Sequence, residues 1–324
     1  GSLRAASWYV LGVVVATIAL FDFSKRRYYW LSSPVLNTIA LSKYVDRLES
    51  VHVFNMYNRV GYMVATYLAR RIPSVTMVFP SFLYWDNRLC HLDVHAIVGS
   101  PVAVEEAKYF SARGMFRPTD VVTLGPIYIP PANKTKPESP RYDVGFYSSG
   151  EWARVDGLVR SVDLDRIASG EFLGNPFYVR AEEIMFALAK FCQASGASFR
   201  VYLHPHERRL IHEFGVEPPH MHELESLGAS FDTAVGDSRQ QYYDCRVAVA
   251  LQSSFIWERL SFGLTDSPFR RCYPTSYHPV LPESLGRFQR NVFRSDEELL
   301  KKVAVALDHA KSGSLGHWIS SDEG

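Results

Sequence analysis

Residues 142–150 have the sequence YDVGFYSSG, a short apolar run that ends abruptly in two serines and a glycine. An apolar run of this length, closed by turn-forming residues, is typical of a buried strand in a parallel sheet. The same form recurs at 198–206 (SFRVYLHPH) and at 246–254 (RVAVALQSS). These stretches predict a sheet whose strands end in polar residues.

Working outward, strand-like runs alternate with helical patterns along the whole chain, which implies βαβ units and parallel sheets. We predict further strands at 51–54, 75–79, 95–98, 120–124 and 291–293, and helices at 101–113, 180–194, 207–214 and 295–310. A proline-rich stretch at 126–141 is typical of a semi-rigid linker. The predicted fold is α/β, with two Rossmann-like doubly wound domains facing a cleft. Their boundaries are 3–125 and 142–311, followed by a tail at 312–324.

Composition excludes several classes of protein. The formal net charge is +1, from 35 basic and 34 acidic residues, which argues against a nucleic-acid partner. Four widely spaced cysteines without a CxxC pair exclude a thiolate zinc site and favour a reducing cytosol. Residues 8–21 are apolar but shorter than the roughly 20 residues of a membrane span. We expect a buried strand there, with a truncated anchor as the alternative, and take Gly1 and Ser2 for an expression remnant.

Three predicted strand ends carry residues suited to a phosphate, because ligands of open α/β sheets bind at the carboxyl ends of the strands. Two of these ends contain serine pairs, Ser148-Ser149 before Gly150 and Ser253-Ser254 before an apolar helix. Serine hydroxyls and the amides of a helix start are natural donors to a phosphate. Ordinary helix capping is the structural alternative.

The third strand end is His204-Pro205, where the histidine could donate to a phosphate or stabilise a leaving group. The His204-x-His206 spacing would place both rings on one strand face, but no recognised metal pattern completes it. Glu258 lies one helical turn after Ser254 and suits the hydroxyls of a ribose. The dinucleotide, P-loop and serine-hydrolase motifs are all missing from the sequence.

In arrangement and in these motifs, the chain resembles the GT-B glycosyltransferases. His204-Pro205 and Ser253-Ser254 resemble the His-Pro and Ser-pair motifs of bacterial sialyltransferases and of the Kdo transferases of capsule and O-antigen synthesis. The resemblance implies that these motifs contact the phosphate of a CMP-sugar donor. It also likens residues 147–152 to the first glycine-containing loop of such donor domains.

The resemblance implies transfer of a Kdo or sialic-acid-like sugar to an oligosaccharide or glycolipid acceptor, with no cofactor and no metal. His204 would stabilise the leaving phosphate, Glu151 or Asp86 would act as base or nucleophile, and Arg154 would bind the donor carboxylate. The expected location is the cytoplasm, with the inner membrane face and peripheral membrane association as further expectations. The chain could also be one module of a longer protein.

Three other functions fit parts of the pattern. A CDP-glycerol-type phosphotransferase shares the strand-end motifs, and a nucleotide-sugar epimerase shares the two-domain plan. A two-domain solute-binding protein shares the architecture, but that function does not account for the serine pairs or the His-Pro.

Overall fold

The computed structural model describes residues 47–53, 68–79, 95–99, 101–114, 118–123, 140–150, 152, 176–234, 241, 244–251, 253, 256 and 282–311. The chain divides into two compact units, Gly1–Ile127 and Tyr128–Gly324, and the division falls inside the proline-rich stretch 126–141. Within the described ranges, no helix combines the length and the apolar character needed to cross a membrane. The stretch 8–21 and the tail 312–324 lie outside the described residues.

The first unit contains a parallel sheet of four short strands. They are β1 (Ser50–Val53), β2 (Ser74–Phe79), β3 (His95–Val98) and β4 (Asp120–Thr123), hydrogen-bonded in the order β1-β2-β3-β4. Helix α1 (Pro101–Ala112) begins at a proline, which fits the first helical position, and it packs Ala107 and Phe110 into the core beneath β2 and β3. All residues of β4 are exposed.

The second unit contains another parallel sheet of four strands. They are β5 (Tyr142–Tyr147), β6 (Phe199–Tyr202), β7 (Ala229–Asp232) and β8 (Cys245–Val249), and their spatial order is β7-β6-β5-β8. The chain therefore builds from β5 to β6 and β7, and then returns to place β8 on the free side of β5. Both units of the protein are α/β with parallel sheets.

Helices cover the apolar face of the second sheet. The helical segments are α2 (Pro176–Ser195), α3 (Pro205–Phe214), α4 (Met221–Ser226), α5 (Asp296–Lys311) and a 3-10 helix (Pro282–Asn291). Val144 and Val201 of the sheet pack with Ile184 of α2 and Val303 of α5 in one buried cluster. Burial of each such side chain contributes about 1.5–3 kcal/mol. This cluster holds β5 and β6 in place, and the candidate site lies at their carboxyl ends.

Most predicted elements are confirmed. The strands at 95–98 and 142–147 agree residue for residue, because both are short runs rich in apolar residues with polar or turn residues at their ends. The predicted capped start of α5 is also confirmed. The Ser295 hydroxyl accepts the Glu298 N–H at 3.2 Å, and the Glu298 carboxylate accepts the Arg294 N–H at 2.7 Å.

Three predictions differ from the structure. The strand at 291–293 is wrong, because Asn291 ends the 3-10 helix and Phe293 is a buried residue outside any strand. Helix α2 begins at Pro176 rather than at residue 180, as a proline at the first helical position allows. The sequence analysis also missed α4 and β7, which are short and carry many polar residues.

Candidate functional site

The reversal of strand order in the second sheet defines one place where a ligand can bind. In open α/β sheets the crevice lies outside the carboxyl ends of the two strands at which the order reverses. Here these strands are β5 and β8, with β6 on the other side of β5. Because all strands are parallel, residues 148–150, His204 and Ser253 follow them at the same edge. The topology therefore places the three predicted strand ends at one edge of the second sheet.

A buried glutamate, which the sequence analysis did not predict, joins two of these ends. Glu207 of α3 has no exposed surface. One carboxylate oxygen accepts the Ser148 hydroxyl at 2.7 Å, and the other accepts the His204 backbone N–H at 2.7 Å. A buried charge is costly unless hydrogen bonds compensate it, and both of its oxygens here accept one. The carboxylate also lies in the first turn of α3, where the helix dipole favours negative charge.

Ser148 has a positioning role in this arrangement. Its single hydroxyl proton is donated to Glu207, while its oxygen accepts the Gly150 N–H at 3.0 Å. Its backbone N–H donates to the Tyr202 carbonyl at 3.0 Å, which continues the pairing of β5 with β6. The Ser148 hydroxyl thus shapes the loop after β5, whereas the sequence analysis assigned it to a phosphate.

His204 caps helix α3 with its side chain. Its Nδ1 accepts the His206 backbone N–H at 3.2 Å, and Glu207 completes a capping box. An Nδ1 that accepts a hydrogen bond carries no proton, so the neutral ring carries its proton on Nε2. Pro205 has no N–H, and the Glu207 N–H donates to the His204 carbonyl at 2.9 Å. In the first turn of α3, the N–H groups of His206 and Glu207 are therefore already bonded to His204, and the proton of the neutral ring is on Nε2.

The loop after β5 lies directly against the His204 ring. Gly150 has a φ of 83°, in the left-handed region that favours glycine. A Cβ added there would come within 3.3 Å of the His204 Nδ1 and 3.4 Å of its Cγ. Glycine is thus required twice, by the backbone conformation and by the close approach of the ring. Ser148, Gly150 and His204, all predicted site residues, form one contact group with Glu207.

The end of β8 contributes the third strand end. The chain continues from β8 through Leu251, which is buried, to Ser253, which is half-buried. The Ser253 carbonyl accepts the Ile256 N–H at 3.3 Å, so a helical turn starts at this serine. Ser149, the second predicted serine after β5, is buried.

Two stacked tyrosines lie at the ends of β5 and β6. The rings of Tyr147 and Tyr202 are 4.5 Å apart and nearly parallel, and both residues are buried. Tyr147 donates its hydroxyl to the Gln241 carbonyl at 2.7 Å, and Tyr202 donates to the Asp244 carboxylate at 3.0 Å. Burial raises the pKa of Tyr202 well above its usual range, so this phenol stays neutral. These tyrosines give the strand ends a rigid base.

His204 and His206 lie at the start of a helix and not on one strand face, and His220 and His222 pair with glutamates. Strand β6 ends at Tyr202, so His204 and His206 do not share a strand face as expected; their rings lie 5.1 Å apart at the start of α3. His220 is instead paired with Glu182 at 3.0 Å, and His222 lies between Glu217 and Glu225. Among the described side chains, no three or more His, Cys, Asp or Glu residues form a group that could hold a metal ion.

Five predicted site residues lie outside the described residues: Asp86, Glu151, Arg154, Ser254 and Glu258. Their roles stay predictions from the sequence.

No protein-family model matches this chain, and a comparison with curated proteins finds no significant match. The function must therefore be inferred from the chemistry of the site.

Proposed function

We propose that the chain is a GT-B glycosyltransferase that moves a Kdo or sialic-acid-like sugar from a CMP-activated donor to an oligosaccharide or glycolipid acceptor. The donor phosphate would bind at the carboxyl edge of the second sheet, between the ends of β5 and β8. The observation that carries the proposal is the His204 ring. Its Nδ1 accepts the His206 N–H at 3.2 Å, so a neutral ring carries its proton on Nε2, in a side chain that follows β6 at the carboxyl edge of the sheet.

The chemistry requires such a donor. When the bond between the sugar and the phosphate breaks, negative charge develops on the departing CMP. A hydrogen-bond donor that is already fixed in place stabilises this charge without reorganisation. His204 suits that role because its backbone and one ring nitrogen are both held by hydrogen bonds. Ser253, at the start of a helical turn on the other side of the reversal, would add a hydroxyl donor.

The remaining roles rest on the sequence resemblance. Glu151 or Asp86 would act on the acceptor hydroxyl as a base, or as a nucleophile if the configuration of the sugar is retained. Arg154 would pair with the carboxylate of the donor sugar, and Glu258 with the ribose hydroxyls. The proposed reaction needs neither a metal nor a cofactor. It would take place in the cytoplasm, at the inner face of the membrane where the acceptor is a glycolipid.

A nucleotide screen tests the donor class. Thermal unfolding of the whole chain is measured with CMP, UDP and GDP. A ligand that binds only the folded state, at 100 times its dissociation constant, adds about 2.7 kcal/mol of stability. We expect the largest increase in melting temperature with CMP. An increase with UDP and none with CMP would overturn the proposal.

Turnover then tests the reaction. The chain is incubated with CMP-Kdo, CMP-sialic acid or CDP-glycerol and a mixture of oligosaccharide acceptors, and the released CMP is separated and quantified. We expect release from at least one CMP-sugar that depends on the acceptor. Release from CDP-glycerol alone would reject sugar transfer and identify a phosphotransferase.

A further inference from the structure

Glu207 is the most completely buried charged group at the candidate site, and the proposed reaction does not use it. It cannot touch a ligand, because it has no exposed surface. Its two carboxylate oxygens accept donors from different strand ends, the Ser148 hydroxyl after β5 and the His204 N–H after β6. Residues 148 and 207 are 59 positions apart in the chain, so this contact joins two loops that local structure alone would not connect.

The contacts around Glu207 connect four residues in a closed cycle. Glu207 binds Ser148, whose oxygen accepts the Gly150 N–H at 3.0 Å. The Gly150 backbone then lies against the His204 ring, and the His204 N–H returns to Glu207 at 2.7 Å. Each member restrains the next, so neither loop can shift without breaking a hydrogen bond to a charged group. Such bonds are worth more than neutral ones.

We propose that Glu207 is a positioning residue that locks the His204 ring and the loop 148–150 into one preformed surface for the phosphate of the donor. This inference rests on the proposed function for the identity of the ligand, but the lock itself is independent of it. A preformed surface avoids the ordering that a loose one undergoes on binding, and this raises affinity.

Three variants of the whole chain test the lock. Glu207→Ala removes both bonds of the carboxylate, whereas Ser148→Ala removes the bond to Glu207 and also the oxygen that accepts the Gly150 N–H. Glu207→Gln keeps the size, because its amide oxygen can accept the His204 N–H while its amide donates to the Ser148 oxygen. Glu213→Gln is the matched control, since Glu213 lies on the same helix, is exposed, and pairs only locally with Arg209 at 2.7 Å.

Two measurements on each variant need no ligand. Amide hydrogen exchange reports whether the Gly150 N–H stays bonded, and nitrogen NMR reports which nitrogen of the His204 ring carries the proton. We expect faster Gly150 exchange in Glu207→Ala and Ser148→Ala. We also expect a mixture of His204 ring forms in Glu207→Ala. Glu207→Gln and the control should resemble the wild type.

The third measurement is the dissociation constant for CMP. We expect Glu207→Ala and Ser148→Ala to weaken CMP about tenfold, which corresponds to 1.4 kcal/mol, and Glu207→Gln to change it by less than about threefold. Should Glu207→Ala fail to fold, Ser148→Ala and Glu207→Gln carry the test. Unchanged Gly150 exchange and CMP affinity in folded Glu207→Ala, or unchanged CMP affinity in Ser148→Ala, would overturn the inference; Gly150 exchange in Ser148→Ala rises in any case, because its acceptor oxygen is removed. If the wild type does not bind CMP, the proposed function fails, and the exchange and NMR data alone decide whether the lock exists.

Discussion

The two parallel sheets of this chain differ in the order in which their strands are added. In the first sheet the described strands follow the chain order, β1-β2-β3-β4, and the last strand is exposed along its length. In the second sheet β5 lies inside, and the chain reverses to place β8 beside it. At such a reversal, the chain leaves the ends of two adjacent strands in opposite directions. A crevice opens between the two connections. The second sheet therefore has a place for a ligand that the described strands of the first sheet do not provide.

Buried polar side chains occur in both units. Among the described residues, those of the first unit are Thr76 and Glu106, and those of the second are Ser148, Ser149, Glu207, Arg208, Gln241, Asp244 and Asn291. A buried polar group costs stability unless it is hydrogen-bonded, and at the carboxyl edge of the second sheet such hydrogen bonds also set the shape of a loop. Ser148 and Glu207 show this directly, because their hydrogen bonds shape the loop beside His204.

The largest expected effect is on the free energy of unfolding. It tests whether the packing of the first sheet is independent of ligand binding at the second. Met77 is fully buried in β2, and Met77→Ala should reduce the free energy of unfolding by about 2–5 kcal/mol through the cavity it leaves. The CMP dissociation constant of the folded protein should stay within about threefold of the wild type, a difference of about 0.7 kcal/mol. Urea unfolding and CMP titration measure the two quantities. Val121→Ala on exposed β4 is the control. Loss of CMP binding in folded Met77→Ala would reject a donor site confined to the second unit.

The second prediction separates the two roles of His204. Asparagine is among the best helix N-caps, so His204→Asn should keep the cap of α3 and change stability by less than about 1 kcal/mol. It lacks the Nε2–H donor, and losing a hydrogen bond to a charged phosphate should weaken CMP binding and transfer at least about tenfold. His222→Asn, at a highly exposed histidine, is the control. A His204→Asn protein that transfers at the wild-type rate would show that His204 is only a cap.

The third prediction concerns the response of the second unit to alkali. Burial, with a smaller contribution from the Asp143 charge, raises the pKa of Cys192 from 9.0 to about 12. Between these values the unfolded thiol loses its proton while the folded one keeps it, so stability falls as the pH rises. The slope from one such group is about 1.4 kcal/mol per pH unit. Cys192→Ala should flatten the curve of unfolding free energy against pH between 9 and 12. An unchanged slope would mean that the thiol ionises normally in the folded protein.

The sequence predicts an element of these two units well when the residues of that element alone carry its pattern. The strand at 142–147 was predicted exactly, because a buried central strand is a continuous apolar run. Strand β7 was missed because an edge strand is short and only half-buried, so its residues alternate weakly. The start of α2 was set too late although the sequence carries a helix-start signal there, since Asn175 directly precedes Pro176.

The candidate site was predicted by residue type but not by role. Sheet order brings Ser148, Gly150, His204 and Ser253 to one edge, as their positions after strands suggested. Glu207 was missed for two reasons. The capping-box pattern is usually recognised by a serine or threonine at the cap, and here a histidine takes that place. Its other partner, Ser148, is 59 positions away, and a single sequence carries no signal for such a pairing.

The fourth prediction tests the close approach of Gly150, in the loop after β5, to the His204 ring. Gly150→Ala places a side chain in the left-handed region, which costs about 1–2 kcal/mol, and brings its Cβ to 3.3 Å from the His204 Nδ1. We expect lower stability and weaker CMP binding together, because the ring must move. Gly215→Ala is the matched control, with a φ of 66° but no atom within 4 Å of the added carbon. The control should lose stability and keep CMP affinity. Equal CMP affinity in both variants would show that the ring tolerates the displacement.

The smallest expected effect lies at the exposed edge of the first sheet. Val122, in the middle of β4, is 43% exposed, and among the described strands β4 pairs only with β3. Lysine is common on edge strands, where its charge discourages association with other chains. Val122→Lys should therefore change the free energy of unfolding by less than about 0.5 kcal/mol and leave CMP affinity unchanged. Val98→Lys, at a fully buried position of β3, is the contrasting variant and should unfold the sheet or cost several times as much, because it buries a charge. A loss above about 1 kcal/mol in Val122→Lys would mean that β4 is covered in solution. The first sheet would then be closed on the side where the structure shows it exposed, and its contrast with the second sheet would rest on strand order alone.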